Sequence, residues 1–111
     1  MGIQDWSENC LLVTIAPEPE MSDELKTVTE ILRKRNKCSV VIDFSDAELV
    51  TSSSLAQMLR LQKILDDYNQ QMVICGVSPR TKGIFEVTGL DKVFEFVEDK
   101  FTALAGMQLA R

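Results

Sequence analysis

The sequence predicts an α/β fold in which one sheet with parallel strand pairs is covered by helices. Short apolar runs rich in branched residues alternate along the chain with longer segments whose apolar residues recur at helical spacing. The short runs are nearly continuous in apolar character, which is typical of strands that are covered on both faces. With 111 residues, 45% of them hydrophobic, the chain has the size and composition of a single domain.

The first half of the chain gives two strands with a helix between them. Residues 10–16 (CLLVTIA) are predicted to form a strand that stops at the proline-containing residues 17–19. Ser22 is predicted to cap the first helix, which ends in the basic segment 33–37 (RKRNK), where cations suit the helix dipole. The buried face of this helix is expected to carry Leu25, Val28 and Leu32. Residues 39–44 (SVVIDF) form the second predicted strand.

The second helix and the third strand follow the hydroxyl-rich residues 51–54. Residues 55–68 are predicted to be helical, and residues 72–77 (MVICGV) to form a strand. The apolar stripe expected on the helix consists of Leu55, Met58, Leu59, Leu65 and Tyr68. The residues expected to be buried on central strands are Val40, Val41, Ile42, Val73, Ile74 and Cys75.

The remaining elements are a third helix, a short strand and a last helix. Ser78 before Pro79 is typical of a helix start, and Gly89 of a helix end. Residues 93–97 are predicted to be a strand and residues 99–111 a helix. One face of that helix is expected to carry Phe101, Leu104, Ala105 and Leu109. The order is therefore β-α-β-α-β-α-β-α, with helices packed on the sheet through right-handed crossovers.

Charge and composition disfavour several classes of function. Seventeen acidic and 12 basic residues give a net charge of −5, which repels nucleic acid. The chain has no histidine, so the common Ser-His, Cys-His and zinc-protease sites are excluded. We therefore expect no nucleic-acid partner and no enzymatic activity.

The cysteines and the N-terminus predict a cytoplasmic protein. Cys10, Cys38 and Cys75 are odd in number, lie far apart and occur in or beside apolar runs, so we interpret them as reduced core residues. The first residues lack the basic and apolar regions of a secretion signal, and no segment is apolar over the length of a membrane helix. We expect no direct insertion into a membrane.

Other polar groups are weaker candidates for sites. Asp43, Asp46 and Glu48 lie at or just after the carboxyl end of a predicted strand and are candidates for binding a hard cation, but solvated loop acids and turn formers are the favoured interpretation. Arg80 and Lys82 are candidates for recognising an anion, or simply face solvent in a helical turn. The glycines match no nucleotide-binding spacing. The sequence thus predicts neither a metal nor a cofactor.

Four consecutive hydroxyl residues, Thr51, Ser52, Ser53 and Ser54, precede the second helix. One of them is expected as the N-cap, which leaves three without a structural reason. A helix start carries unsatisfied N–H groups and a positive dipole end, and it therefore stabilises a phosphate. A phosphoserine here would add a charge of about −1.5 to −2 at one surface position. This segment is the main candidate for a regulatory site.

Two stretches of the sequence resemble the STAS domain of bacterial anti-sigma factor antagonists. VVIDFSDAELVTSSSLAQMLRLQKIL resembles the family's strand, loop, D-S-S-G-L turn and helix. MVICGVSPRTKGIFEVTGLDKVFEF resembles its later G-V-S-P and T-G-L-D-x-V-F motifs. The matching residues of the second stretch are Gly76, Val77, Ser78, Pro79, Thr88, Gly89, Leu90, Asp91, Val93 and Phe94.

The resemblance implies a single STAS-like domain over residues 1–111, with a mixed sheet of about four to five strands and about four helices. It implies a non-catalytic protein-binding module that takes part in signal transduction and transcription regulation. The implied phosphorylation site is Ser53, with Ser52, Ser54 and Thr51 as alternatives; Thr51 and Ser54 replace the family's Asp and Gly. The implied contact surface for a partner consists of residues 51–55 (Thr51, Ser52, Ser53, Ser54 and Leu55) and Ser78.

Two functional hypotheses remain open at this stage. In the first, the chain binds an anti-sigma factor with serine kinase activity, or a related switch protein, and phosphorylation of Ser53 ends or alters binding. In the second, it is a scaffold or accessory subunit of a larger assembly, stressosome-like or part of a lipid-transport complex, with no phosphorylation switch. An enzyme with carboxylate or thiol chemistry is disfavoured, because no base, nucleophile pair or cofactor motif is found.

Overall fold

A five-stranded sheet runs through the molecule, and its strands lie side by side in the order in which they occur in the chain. The computed structural model describes the backbone of residues 2–109 and the side chains of residues 2–107. The strands are β1 (Gly2–Ser7), β2 (Cys10–Thr14), β3 (Ser39–Asp43), β4 (Met72–Cys75) and β5 (Glu95–Val97). The helices are α1 (Met21–Arg33), α2 (Ser52–Asp67), α3 (Pro79–Val87) and α4 (Lys100–Leu109), with a single 3-10 turn at Leu90–Lys92.

The sheet is mixed because only its first strand is antiparallel. β1 pairs antiparallel with β2, whereas β2, β3, β4 and β5 are all parallel to their neighbours. Each parallel pair is joined through a helix, as parallel strands require. The mixed sheet with four helices is confirmed, and the predicted alternation holds from β2 onward, whereas β1 and β2 follow each other without a helix between them.

Two apolar cores lie on opposite faces of the sheet, because side chains alternate between the faces along each strand. The larger core contains Leu11, Val13, Val40, Ile42, Met72 and Ile74 from the strands, together with apolar residues of α1, α2 and α3. The smaller core contains Cys10, Leu12, Val41, Val73 and Cys75, covered by Ala103, Leu104 and Met107 of α4. The burial predicted for the apolar residues of the central strands is therefore confirmed.

The structure corrects the predicted start of α1 and the predicted face of α2. Ser22 is not the cap of α1, because the helix begins at Met21 after Glu20, and Ser22 lies in its first turn. On α2, Leu59 is 39% exposed, while Leu61 is fully buried. The buried stripe of α2 consists of residues at helical spacing: Ser54, Met58, Leu61 and Leu65.

Two further features differ from the prediction. β1 was not predicted from the sequence. On α4, Leu104 is buried as predicted, but Phe101 is 72% exposed and Ala105 is also exposed, and Ala103 and Met107 reach the core in their place. The side chain of Leu109 and residues 110–111 lie outside the described residues.

Candidate functional site

The start of α2 is capped by the first of the four hydroxyl residues. Thr51 has an extended backbone, with φ −99° and ψ 166°, and its side-chain oxygen accepts a hydrogen bond from the Ser54 N–H at 3.2 Å. This is the geometry of an N-cap, which satisfies one of the free N–H groups of the first turn. The expectation that one of the four residues is a cap is confirmed, and the cap is Thr51.

Ser54 is fully buried and holds a carboxylate from another part of the chain. Its hydroxyl donates to Glu18 Oε2 at 2.6 Å. The backbone N–H of Thr51 donates to the same oxygen at 2.9 Å. Glu18 belongs to the loop between β2 and α1, so an acidic side chain from that loop occupies the positive end of α2.

Ser53 is exposed and lies where the starts of two helices meet. Its Oγ is 3.1 Å from the Oγ of Ser22, and either hydroxyl can be the donor. Ser22 is the second residue of α1 and Ser53 the second residue of α2. The positive dipole ends of both helices are therefore directed toward this pair of hydroxyls, and each favours added negative charge. Ser52, the first residue of α2, is also exposed.

The other predicted contact residues, Leu55 and Ser78, follow β3 and β4, whose carboxyl ends lie side by side. Leu55 is partly buried against the larger core. Ser78 caps α3 by accepting a hydrogen bond from the Thr81 N–H at 3.2 Å. The buried Thr81 hydroxyl donates to the carbonyl of Glu48 in the loop that precedes α2. This contact ties the start of α3 to the loop that leads into the Ser53 turn.

The carboxylates at the end of β3 and in the loop after it are not grouped as a metal site among the described residues. Asp43 is buried and accepts a hydrogen bond from the Ser45 N–H at 3.0 Å, whereas Asp46 and Glu48 are exposed. Among residues 2–107 no three His, Cys, Asp or Glu side chains are grouped closely enough to bind a metal. The interpretation as loop acids agrees with the exposed Asp46 and Glu48, but it is wrong for Asp43, which is the last residue of β3 and is buried.

Of the two candidate anion-binding cations, Arg80 is exposed and Lys82 is engaged with an aromatic ring. The Nζ of Lys82 lies 4.6 Å from the centre of the Phe96 ring. This contact accounts for the position of Lys82 without an anionic ligand.

The three cysteines are buried, as predicted, and no disulfide joins them in the described part of the chain. Desolvation, together with the negative charge of Asp43, raises the pKa of Cys75 to about 12. Burial also raises the pKa of Cys38. A thiol with a raised pKa remains protonated at neutral pH and is a poor nucleophile.

An open groove lies away from the Ser53 turn. Its volume is about 800 Å³, and Trp6, Ser39 and Tyr68 are among its lining residues. These residues lie at the end of the sheet where β3 begins, opposite the end that leads into α2. Ser53 is instead an exposed residue in the first turn of α2 and is not among the residues that line this groove.

Two residues of this site, Glu18 and Ser22, were not assigned to it from the sequence. Their contacts with Ser54 and Ser53 span 36 and 31 residues of chain, respectively. No local pattern reports such contacts, and Ser22 carried only the signal of a helix cap.

Comparisons with known proteins match this chain to one domain family and to one fold. The family model described as the STAS domain matches residues 10–103. The chain is 21% identical over 89 residues to the anti-sigma F factor antagonist of Paenibacillus polymyxa, covering 79% of this chain and 76% of that protein.

Solved structures share the fold over nearly the whole chain. The unphosphorylated form of the anti-sigma factor antagonist SpoIIAA superposes with a TM-score of 0.75 at 8% identity, covering 99% of this chain and 98% of that one. A chain from the stressosome, described as a signal integration and transduction hub, gives a TM-score of 0.75 at 19% identity and covers 99% of both chains. Over the described residues, no helix is long and apolar enough to cross a bilayer.

Proposed function

The chain belongs to the STAS domain family, and we propose that it is an anti-sigma factor antagonist whose binding to a protein partner is switched by phosphorylation of Ser53. Its curated relatives are regulatory binding proteins rather than enzymes. The observation that carries the proposal is the position of the exposed Ser53 hydroxyl between the starts of α1 and α2.

The electrostatics of the turn support Ser53 as the phosphate acceptor. Two helix dipoles favour negative charge at this position, and the hydroxyl is accessible to a kinase. The neighbouring Thr51 and Ser54 are engaged in capping and in binding Glu18, which leaves them poorer acceptors. Ser52 is exposed and remains the second choice.

The proposed partner is an anti-sigma factor with serine kinase activity, or a related switch protein. The contact surface would consist of residues 51–55 with Ser78 at the neighbouring helix start. A phosphoryl group on Ser53 adds charge and bulk at the centre of this surface, so binding falls without a change of fold. One of the matched structures is a phosphorylated form of SpoIIAA, with a TM-score of 0.70 at 10% identity.

The second candidate function is that of a scaffold or accessory subunit in a larger assembly without a switch. The specific observation in its favour is that two of the four hydroxyl residues, Thr51 and Ser54, have structural roles in the turn. The likeness to the stressosome chain is compatible with this alternative.

An affinity series separates the two candidates. The partner is captured with the wild-type chain, and its affinity is then measured for wild type, Ser53→Ala and Ser53→Asp, with melting curves beside it. We expect Ser53→Ala to bind like wild type and Ser53→Asp to bind at least about tenfold more weakly, since a charge placed at a contact costs more than about 1.4 kcal/mol.

The control is Ser7→Asp, which makes the same substitution at an exposed serine at the end of β1. It should leave the affinity unchanged. Equal affinities for all variants would mean that the turn is only a helix start, and the scaffold function would then be favoured.

A further inference from the structure

We propose that Glu18 is a resident counter-anion of the α2 start, and that negative charge on Ser53 displaces it and releases the middle of its loop, residues 17–19. The inference rests on the proposed function only in taking Ser53 as the modified residue. It assigns to Glu18 a positioning role that couples the charge state of Ser53 to a second surface segment.

The contacts of Glu18 are those of an anion bound at a helix start. One carboxylate oxygen accepts from the buried Ser54 hydroxyl at 2.6 Å and from the Thr51 N–H at 2.9 Å. Hydrogen bonds to an ionised acceptor are roughly twice as strong as neutral ones. The position that favours a negative charge at the start of α2 is therefore already occupied by a side chain of the same protein.

The loop that carries Glu18 has few other attachments. Pro17, Pro19 and Glu20 are exposed. The loop is fixed at its beginning by the Ala16 N–H, which donates to Glu24 Oε1 at 2.6 Å. Glu18 makes the contacts that hold the middle of the loop against α2, so their loss would free that middle while the Ala16 anchor stays in place.

Charge on Ser53 opposes these contacts. Consecutive Cα atoms lie about 3.8 Å apart, so a charge on Ser53 comes within roughly one screening length, about 8 Å, of the carboxylate held by Ser54. Like charges at this distance repel, and both draw on the same helix dipole. The charge on residue 53 is attached to α2 itself, whereas Glu18 reaches α2 from a loop through its carboxylate, so Glu18 is the group that leaves.

The Thr51 amide reports directly on whether Glu18 is bound at the start of α2, because its N–H donates to the Glu18 carboxylate. Amide hydrogen exchange and the amide proton chemical shift of Thr51 are measured by NMR in the wild-type chain and in Ser53→Asp. We expect the Ser53→Asp substitution to raise the exchange rate about fivefold or more and to shift the resonance upfield, with the overall melting temperature little changed. No partner and no kinase enter this experiment.

Two further backgrounds make the test specific. In the Glu18→Gln background the repelled charge is absent, so adding Ser53→Asp should change the exchange rate less than about twofold. In the Glu20→Gln background, which removes an exposed acid of the same loop, the full rise should persist. The same rise in the Glu18→Gln background, or an unchanged Thr51 amide in Ser53→Asp, would overturn the inference.

The outcome is independent of the affinity series for the proposed function. A coupled loop with no effect of Ser53→Asp on partner affinity would count against the switch and not against Glu18. An uncoupled loop with a lost partner would mean that charge on Ser53 acts only at the contact itself.

Discussion

At the scale of single residues, the carboxyl ends of β3 and β4 depend on a close approach between Gly76 and Asp43. Gly76 has φ +69°, which residues with a side chain rarely adopt, and a Cβ built on it would lie 2.5 Å from Asp43 Oδ1. The buried carboxyl of Asp43 also accepts the Ser45 N–H. Both the backbone conformation and the available space therefore require glycine here.

Replacing Gly76 with Ala should destabilise the protein by about 1–3 kcal/mol, the range for a residue forced into an unfavoured backbone region. Gly83→Ala is the matched control, because a Cβ there meets nothing within 4 Å and Gly83 lies inside α3. The control should gain up to about 1 kcal/mol from helix propensity. Urea unfolding measures the free energy of unfolding of both variants. Equal stabilities would contradict the requirement for glycine at position 76.

Cys75 should make stability fall in alkaline solution. Its pKa is about 12 in the folded protein, against 9.0 for an unperturbed thiol. Between these values the unfolded chain loses the proton while the folded chain keeps it, so stability is lost as the pH rises, by up to about 1.4 kcal/mol per pH unit. Below pH 9 this contribution is fully present.

The measurement is the free energy of unfolding between pH 8 and about pH 10.5 for wild type and Cys75→Ala. The slope with pH should be less steep in the variant, whatever its absolute stability. Parallel slopes would mean that the folded thiol titrates like an exposed one.

At the scale of elements, helix starts are where local sequence and tertiary contact compete. The start of α3 was predicted correctly, because Ser78 and Pro79 are a cap and a first-turn residue that signal it within two positions. The start of α2 was placed three residues late, because four consecutive hydroxyl residues offer four alternative caps. The cap of α1 was assigned to Ser22, whose hydroxyl is instead directed to Ser53.

Two neighbouring substitutions test the capping assignment in α2. Thr51→Ala removes the oxygen that accepts the Ser54 N–H and should cost about 0.5–2 kcal/mol. Ser52→Ala, one residue later and exposed, should change stability by less than about 0.5 kcal/mol. Thermal unfolding of the two variants measures these losses of stability. A larger loss in Ser52→Ala than in Thr51→Ala would contradict the assignment of Thr51 as the cap.

Strand β1 has no clear signal in its own sequence, because contacts with other segments stabilise it. Its sequence, GIQDWS, has neither strict alternation nor a continuous apolar run, and four of its six residues are exposed. It exists through antiparallel pairing with β2 and through Arg35, which donates to Asp5 and to the carbonyl of Glu8. None of these partners is visible in a local window of sequence.

At the scale of the whole molecule, the fold followed from pattern, whereas the site required contacts between distant segments. Continuous apolar runs placed β2, β3 and β4 because burial on both faces leaves a local signature. Ser53 was located through the resemblance to a family and a hydroxyl-rich helix start. Its neighbours Glu18 and Ser22 lie on the other side of β3 in sequence, so only the folded chain brings them to the turn.

Shortening one side chain at the centre of the larger core should lower the stability of the protein. Ile42 is fully buried on the middle strand of the sheet, so Ile42→Ala should cost about 2–5 kcal/mol. Val87→Ala is the control, because Val87 is 88% exposed. Denaturant midpoints that agree for the two variants would contradict the arrangement of the core.

The central claim is that Ser53 is the modified residue of a switch, and phosphopeptide mapping of the chain isolated from its native cells tests it most directly. Intact mass should reveal a form heavier by one phosphoryl group, about 80 Da by the mass of HPO₃, and mapping should place the group on Ser53. The Ser53→Ala chain expressed in the same cells should lack that form. A chain that stays unmodified across growth and stress conditions, or a phosphate found only outside residues 51–54, would contradict the claim.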